Sequence, residues 1–253
     1  MKKLIFLFAL CVVTLVAKAQ YPQTLPIDYK SFFAPSAIGP DSLIKAIYEI
    51  PLKSPILANQ WNNLASGSAA VVPNTLTYTS YCDNNMGKAV VTESSRKYAV
   101  YSLTKGSEYS GKAFYLSALI NLSSIRNADF ILTFSKDYWG NYLRGKLYPM
   151  TNGKGYSLGV QSNAEPIVTG ATILNKNQTY LVVLKITPST SGAESLSVFV
   201  NPSIGATEPT TAEATTSTET PILRQIQAIV LRATARGKIA GLRFSDKWAD
   251  VVK

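Results

Sequence analysis

The chain has 253 residues, of which 46% are hydrophobic and only 16% charged, with a formal net charge of +10 and no histidine. This balance suits a chain with large buried faces and excludes a disordered one. The missing histidine excludes a Ser-His-Asp triad, a Cys-His dyad, histidine-ligated zinc and histidine acid–base catalysis.

In chain order, Lys2 and Lys3 precede the apolar run 4–16, and Ala17-Lys18-Ala19 follows as a small-x-small site. Residues 1–19 therefore read as a cleavable signal peptide. The run is short for a membrane span, so the expectation is export to the periplasm, cell surface or medium, without stable membrane insertion after cleavage. Cys11 lies inside the apolar core, which argues against lipidation. Cleavage leaves Cys82 as the one cysteine, so no intrachain disulfide is available and a small packing role is expected for it. Removing Lys2, Lys3 and Lys18 leaves 22 basic against 15 acidic residues, a net +7. These charges are scattered, and nucleic acid is not an expected partner of an exported chain.

Residues 20–54 form a leader punctuated by Pro22, Pro26, Pro35, Pro40 and Pro51, which bars a central strand. Within it Asp41 is placed to cap a short helix carrying Leu43, Ile44 and Ile47, or to open an edge strand. Asp41-Ser42-Leu43 also has the form of a short O-glycosylation site, which is weak evidence by itself. Residues 55–253 change character and read as one β domain. After a loop-rich entry at Trp61, β-like runs begin around Val71, Leu76 and Tyr78. Strands are predicted over 88–92, 97–104, 113–122, 128–135, 142–150, 155–161, 167–173, 226–233 and 238–245. In the run 113–122, Phe114, Leu116, Ala118, Ile120 and Leu122 alternate onto one apolar face. Tyr115, Ser117, Leu119 and Asn121 fall on a mixed face, so one buried face is expected. Asn152-Gly153 is the strongest hairpin signal. The β-rich runs on either side of the polar connector in 179–202 predict a central hairpin. The Thr/Glu/Pro-rich stretch 205–220 reads as an exposed, mobile loop. Strands at roughly ten-residue spacing, without a helical period, predict an all-β sandwich or barrel.

Carboxylates offer little catalytic chemistry. Asp246 and Asp250 have an i, i+4 spacing but flank Trp248 outside a clear strand. A lyase constellation would be incomplete without histidine. The best binding candidate is the row Arg144, Lys146 and Tyr148, with Tyr138, Trp139 and Tyr142 just before it. If Leu143 and Leu147 point inward, that trio points out. Aromatic rings stack on sugar faces and cationic groups donate to hydroxyls or carboxylates. The plainer account is a solvated strand face. No cofactor is expected; calcium on Asp83, Asn84 and Asn85 is conceivable, but such a cluster is more often a simple turn.

Leu76-Thr77-Tyr78, the runs 114–122, 142–148, 155–159, 179–185 and 196–202, and the ending 239–251 (IAGLRFSDKWADV) resemble the LamG-like, concanavalin A-like jelly-roll domains of exported bacterial proteins, especially those of Bacteroidetes. The resemblance implies a two-sheet antiparallel jelly-roll sandwich used for glycan binding, adhesion or sometimes glycan cleavage. It carries over no catalytic residue. Many similar chains continue into a C-terminal sorting domain, whereas this sequence stops at Lys253. The expectation is thus an exported, non-catalytic module for carbohydrate or an anionic surface polymer. The alternatives are an adhesive envelope protein with a protein partner, or a glycan-cleaving enzyme.

Overall fold

The computed structural model describes residues 61–62, 70–73, 75–82, 88–92, 97–102, 113–125, 129–135, 143–187, 193–219, 226, 228–233 and 235–253. The signal peptide, the leader with Asp41, and the Asp83-Asn84-Asn85 turn lie outside these residues.

Fourteen strands are described: β1 (Trp61–Asn62), β2 (Ala70–Pro73), β3 (Lys88–Thr92), β4 (Lys97–Ser102), β5 (Phe114–Ser124), β6 (Leu132–Ser135), β7 (Leu143–Asn152), β8 (Gly155–Gln161), β9 (Val168–Thr169), β10 (Thr179–Thr187), β11 (Glu194–Val200), β12 (Ala214–Thr218), β13 (Ala228–Ala233) and β14 (Arg236–Ser245). One helical turn, α1 (Trp248–Val251), follows. Sheet I has the order β12-β11-β10-β5-β14-β3-β2, and sheet II the order β1-β4-β13-β6-β7-β8-β9. Every described pairing is antiparallel. Among the described strands the chain changes sheets between β1 and β2, β3 and β4, β4 and β5, β5 and β6, β9 and β10, β12 and β13, and β13 and β14. These crossings close the expected all-β jelly-roll sandwich.

The core follows from alternation. Phe114, Leu116, Ala118, Ile120 and Leu122 of β5 and Val182, Leu184 and Ile186 of β10 face Leu132, Phe134, Leu147, Leu158, Val160, Ile229 and Leu231 of sheet II, and all are buried. Phe114 stacks on Phe244 at 5.6 Å between ring centroids, and Phe134 tilts against Phe244 at 6.1 Å. The predicted hairpin β10–β11 is central: Val182 pairs with Val200 and Ile186 with Leu196, while β10 pairs along its other edge with β5.

Four expectations are corrected. First, the outer face of sheet I is buried as well. Tyr115, Ser117 and Leu119 are all buried, because residues 75–82, residues 202–212 and the C-terminal segment pack over them. Leu76, Tyr81, Leu119, Leu181 and Ala240 make one outer cluster, and Tyr115, Val183, Phe199, Trp248, Val251 and Val252 another. Trp248 packs edge-on against Phe199 at 5.0 Å and Tyr115 at 5.7 Å, and its indole N–H donates to the Ala206 carbonyl. Second, the Thr-rich stretch is not all loop. Within it β12 pairs with β11, burying Ala214, Thr216 and Thr218 and exposing Thr215 and Ser217. β-Branched threonines at alternate positions fit a half-buried edge strand. Third, the tight turn is Gly153-Lys154, one residue later than expected, because Asn152 still pairs with Gly155. Gly153 supplies the positive φ of +58° that a two-residue hairpin needs at its first position. Fourth, the strand predicted over 167–173 is only Val168–Thr169, supplemented by a bridge between Tyr156 and Leu174.

Candidate functional site: the outer face of sheet II

Sheet II places Lys146 and Tyr148 of β7 beside Gln161 of β8, since Lys146 pairs with Gln161 and Tyr148 with Gly159. Between them Leu147 pairs with Val160, and both are in the core. Lys146, Tyr148 and Gln161 therefore share the opposite, outer face. The Gln161 side chain organises them. Its Oε1 accepts from the Tyr148 hydroxyl at 2.8 Å and, more weakly, from Lys146 Nζ at 3.5 Å. Its Nε2 donates to the Glu165 carbonyl at 2.7 Å, which fixes the amide orientation.

A second group reaches the same place from two other parts of the chain. Phe130 precedes β6, and its ring meets that of Tyr148 edge-on at 6.2 Å. Arg232 of β13 lies over the Phe130 ring at 4.8 Å and bridges to Asp129 through Nη1 and Oδ1 at 2.9 Å. The result is a patch of alternating aromatic and cationic groups, tied together by one amide and one carboxylate.

The electrostatics are lopsided. Burial, then the guanidiniums of Arg144 and Arg232, lower the pKa of Lys146. Burial raises the pKa of Tyr148, with Arg232 opposing and Asp129 reinforcing the rise. Tyr148 is therefore a neutral hydroxyl at ordinary pH. Among the described residues no carboxylate pairs with Lys146 or Arg144, and Asp129 is engaged by Arg232.

Arg144 does not continue the row that simple alternation predicts. Leu132 pairs with Leu147 but Phe134 with Arg144, so β7 advances three residues while β6 advances two. Gly145 sits in this bulge at φ +63°, and a β-carbon there would lie 3.0 Å from Ile186 Cδ1 and from Phe134 Cδ2. Ladder partners share a face, so Arg144 goes to the side of Phe134 and is partly buried there. Its Nη1 donates to the Leu143 carbonyl at 2.8 Å, and its buried Nε has no hydrogen-bond partner. Leu143, expected to point inward, pairs with Ser135 and is only half-buried. A bulge re-aims side chains in just this way. Tyr138, Trp139 and Tyr142 lie outside the described residues.

Four members of the patch were not singled out from the sequence. Gln161 had a usable signal, because Tyr156, Leu158 and Val160 alternate inward before it. Asp129, Phe130 and Arg232 had none, because only strand order brings β13 and the entry to β6 alongside β7. Elsewhere, Asp250 accepts from the Ser245 hydroxyl through Oδ2 and from Arg243 Nε through its carbonyl. Asp250 thus fastens the C-terminal turn, whereas the buried Oδ1 of Asp246 has no hydrogen-bond partner among the described residues. Cys82 is half-exposed, not a core residue, and its sulfur accepts from Arg243 Nη1 at 3.2 Å. Glu194 is fully buried and accepts from the Ser162 hydroxyl at 3.0 Å, on the inner side of β11.

No protein-family model and no curated protein matches the sequence. Among solved structures, the chain is similar to domain 4 of AbnA, a GH43 extracellular arabinanase from Geobacillus stearothermophilus in complex with arabinotriose, with 12% identity, a TM-score of 0.47 and coverage of 76% of this chain and 88% of that one. It is also similar to an endo-β-1,4-glucuronan lyase from Trichoderma reesei, with 11% identity, a TM-score of 0.46 and coverage of 76% and 92%. The galectin LEC-6 of Caenorhabditis elegans is similar at 13% identity, with a TM-score of 0.34 and coverage of 62% and 95%.

Proposed function

We propose that the chain is an exported, non-catalytic LamG-like module of the kind found in Bacteroidetes, and that it binds a carbohydrate or another surface polymer on the outer face of sheet II. The observation that carries this reading is the Lys146–Gln161–Tyr148 row joined to Phe130 and Arg232. It offers hydrogen-bond donors of fixed direction next to aromatic rings, which is what sugar recognition requires. The corresponding face of sheet I is closed by its own second layer. A non-catalytic role is favoured because the carboxylate of the patch, Asp129, is held by Arg232, and a glycosidase needs two carboxylates flanking the bond to be cleaved.

Affinity electrophoresis of the full chain in gels containing polysaccharides tests this. Retardation is expected, with Gln161→Ala and Lys146→Ala each reducing it about tenfold, the scale of losing one or two directed hydrogen bonds, while the melting temperature stays near that of the parent. Retardation unaffected by both changes, or absent from every gel, would overturn the reading. Release of oligosaccharides by the parent chain would move it to the glycan-cleaving class.

A further inference from the structure

Resting on that binding face, the donor and charge balance around Lys146 carries a narrower conclusion. Lys146 and Arg232 stand on neighbouring parts of one sheet face, and the guanidinium of Arg144, on the other side of β7, adds to the positive field at Lys146. Asp129 is the one carboxylate in the group among the described residues, and it is bound to Arg232. The Lys146 ammonium has three donors, and its described partner is Gln161 Oε1 at 3.5 Å, an oxygen already taken by Tyr148 at 2.8 Å. A half-buried ammonium with one weak acceptor, and like charges gathered together, both cost stability. Each cost is removed by a ligand that brings acceptor oxygens and negative charge.

We infer that the ligand is an acidic polysaccharide, whose carboxylate or sulfate groups seat against Lys146 with Arg232 alongside, and whose sugar rings lie against Phe130 and Tyr148. A neutral glycan would leave the excess cations uncompensated. Charged hydrogen bonds are about twice as strong as neutral ones, so the acid groups decide which glycan is held.

The test compares the full chain in gels of polygalacturonate, dextran sulfate and neutral dextran, at low and at physiological salt. The expected result is retention by the carboxylated or the sulfated polymer at least tenfold above neutral dextran, weakening as salt rises. Lys146→Gln should abolish most of this preference and Lys146→Arg should keep it. Lys247→Gln removes the same charge from an exposed position beside α1 and should change retention by less than twofold. The two acidic gels separate carboxylate from sulfate as the group read. Equal retention by dextran and the acidic polymers, indifferent to salt, would overturn the acidic class and leave the glycan-binding reading standing. Retention by none of the three would overturn both. Equal losses in Lys146→Gln and Lys247→Gln would show attraction to net charge alone, and would overturn the inference. Equally strong retention by DNA or by phosphatidylglycerol vesicles would do the same.

Discussion

Lys146 shows how a single side chain can be costly where it stands. Burial and two nearby guanidiniums lower its pKa from the ordinary 10.5. The unfolded chain therefore keeps this proton to a higher pH than the folded chain. The destabilisation is full below the folded value and disappears as pH rises past the ordinary lysine range. Lys146→Met should accordingly raise the urea midpoint at pH 7, with a gain that shrinks at high pH. Equal midpoints for parent and variant at pH 7 would show that the charge costs nothing in the fold. Gly145 makes the companion point about backbone. Its positive φ and its closeness to Ile186 and Phe134 leave glycine as the residue that fits, and the bulge it permits decides where Arg144 points. In the sequence Arg144, Lys146 and Tyr148 look equivalent. They are not, because period-two alternation holds only while both strands advance residue for residue.

At the scale of elements, the C-terminal turn and the two strand-to-strand loops form a second layer on sheet I. Tyr81 donates to the Gly241 carbonyl at 2.7 Å and lies 2.9 Å from the Ser117 hydroxyl, so the 75–82 loop is fastened to both β14 and β5. Gly241, with φ +61°, marks another bulge, in β14 between Ala240 and Arg243. Glu208 accepts from the Tyr115 hydroxyl at 2.7 Å and pairs with Lys185, which ties residues 202–212 to β5 and β10. Because Trp248 fills the space between Tyr115 and Phe199, Trp248→Ala should cost about 3–5 kcal/mol, the usual range for removing a buried aromatic side chain. Urea denaturation followed by far-ultraviolet circular dichroism measures this. A loss under about 1 kcal/mol would mean that the layer is a loose cover and not part of the packed structure. The lone alternation of β5 could not reveal this layer, since Ser117 and Asn121 made its outer face look solvated. Ser117 is buried because Tyr81, distant in sequence, comes to lie against it.

For the whole molecule, one apolar cluster draws residues from both sheets, and neither sheet keeps an apolar face covered without the other. Unfolding should therefore be a single cooperative event. Near-ultraviolet and far-ultraviolet circular dichroism should give coincident melting curves. An aromatic signal lost several degrees before the β signal would show that the outer layer on sheet I melts separately. The same architecture explains the asymmetry of the surface. Sheet I is covered on both faces, so the patch on sheet II is where polar and aromatic groups meet in the arrangement that the proposed binding uses.

The sequence by itself determined the fold class, the long strands, the central β10–β11 hairpin and most of the inner core, because a two-residue alternation and turn chemistry are local properties of the chain. It also excluded histidine chemistry outright. Only the tertiary structure decided which cations meet at Lys146, that Gln161 directs Tyr148 and Lys146, that Arg144 turns to the side of Phe134, and that one outer face is sealed. Each of these depends on strand order, on a bulge in register or on a loop folding back across a sheet. Such outcomes are set by contacts between residues far apart in sequence, and no local pattern records them.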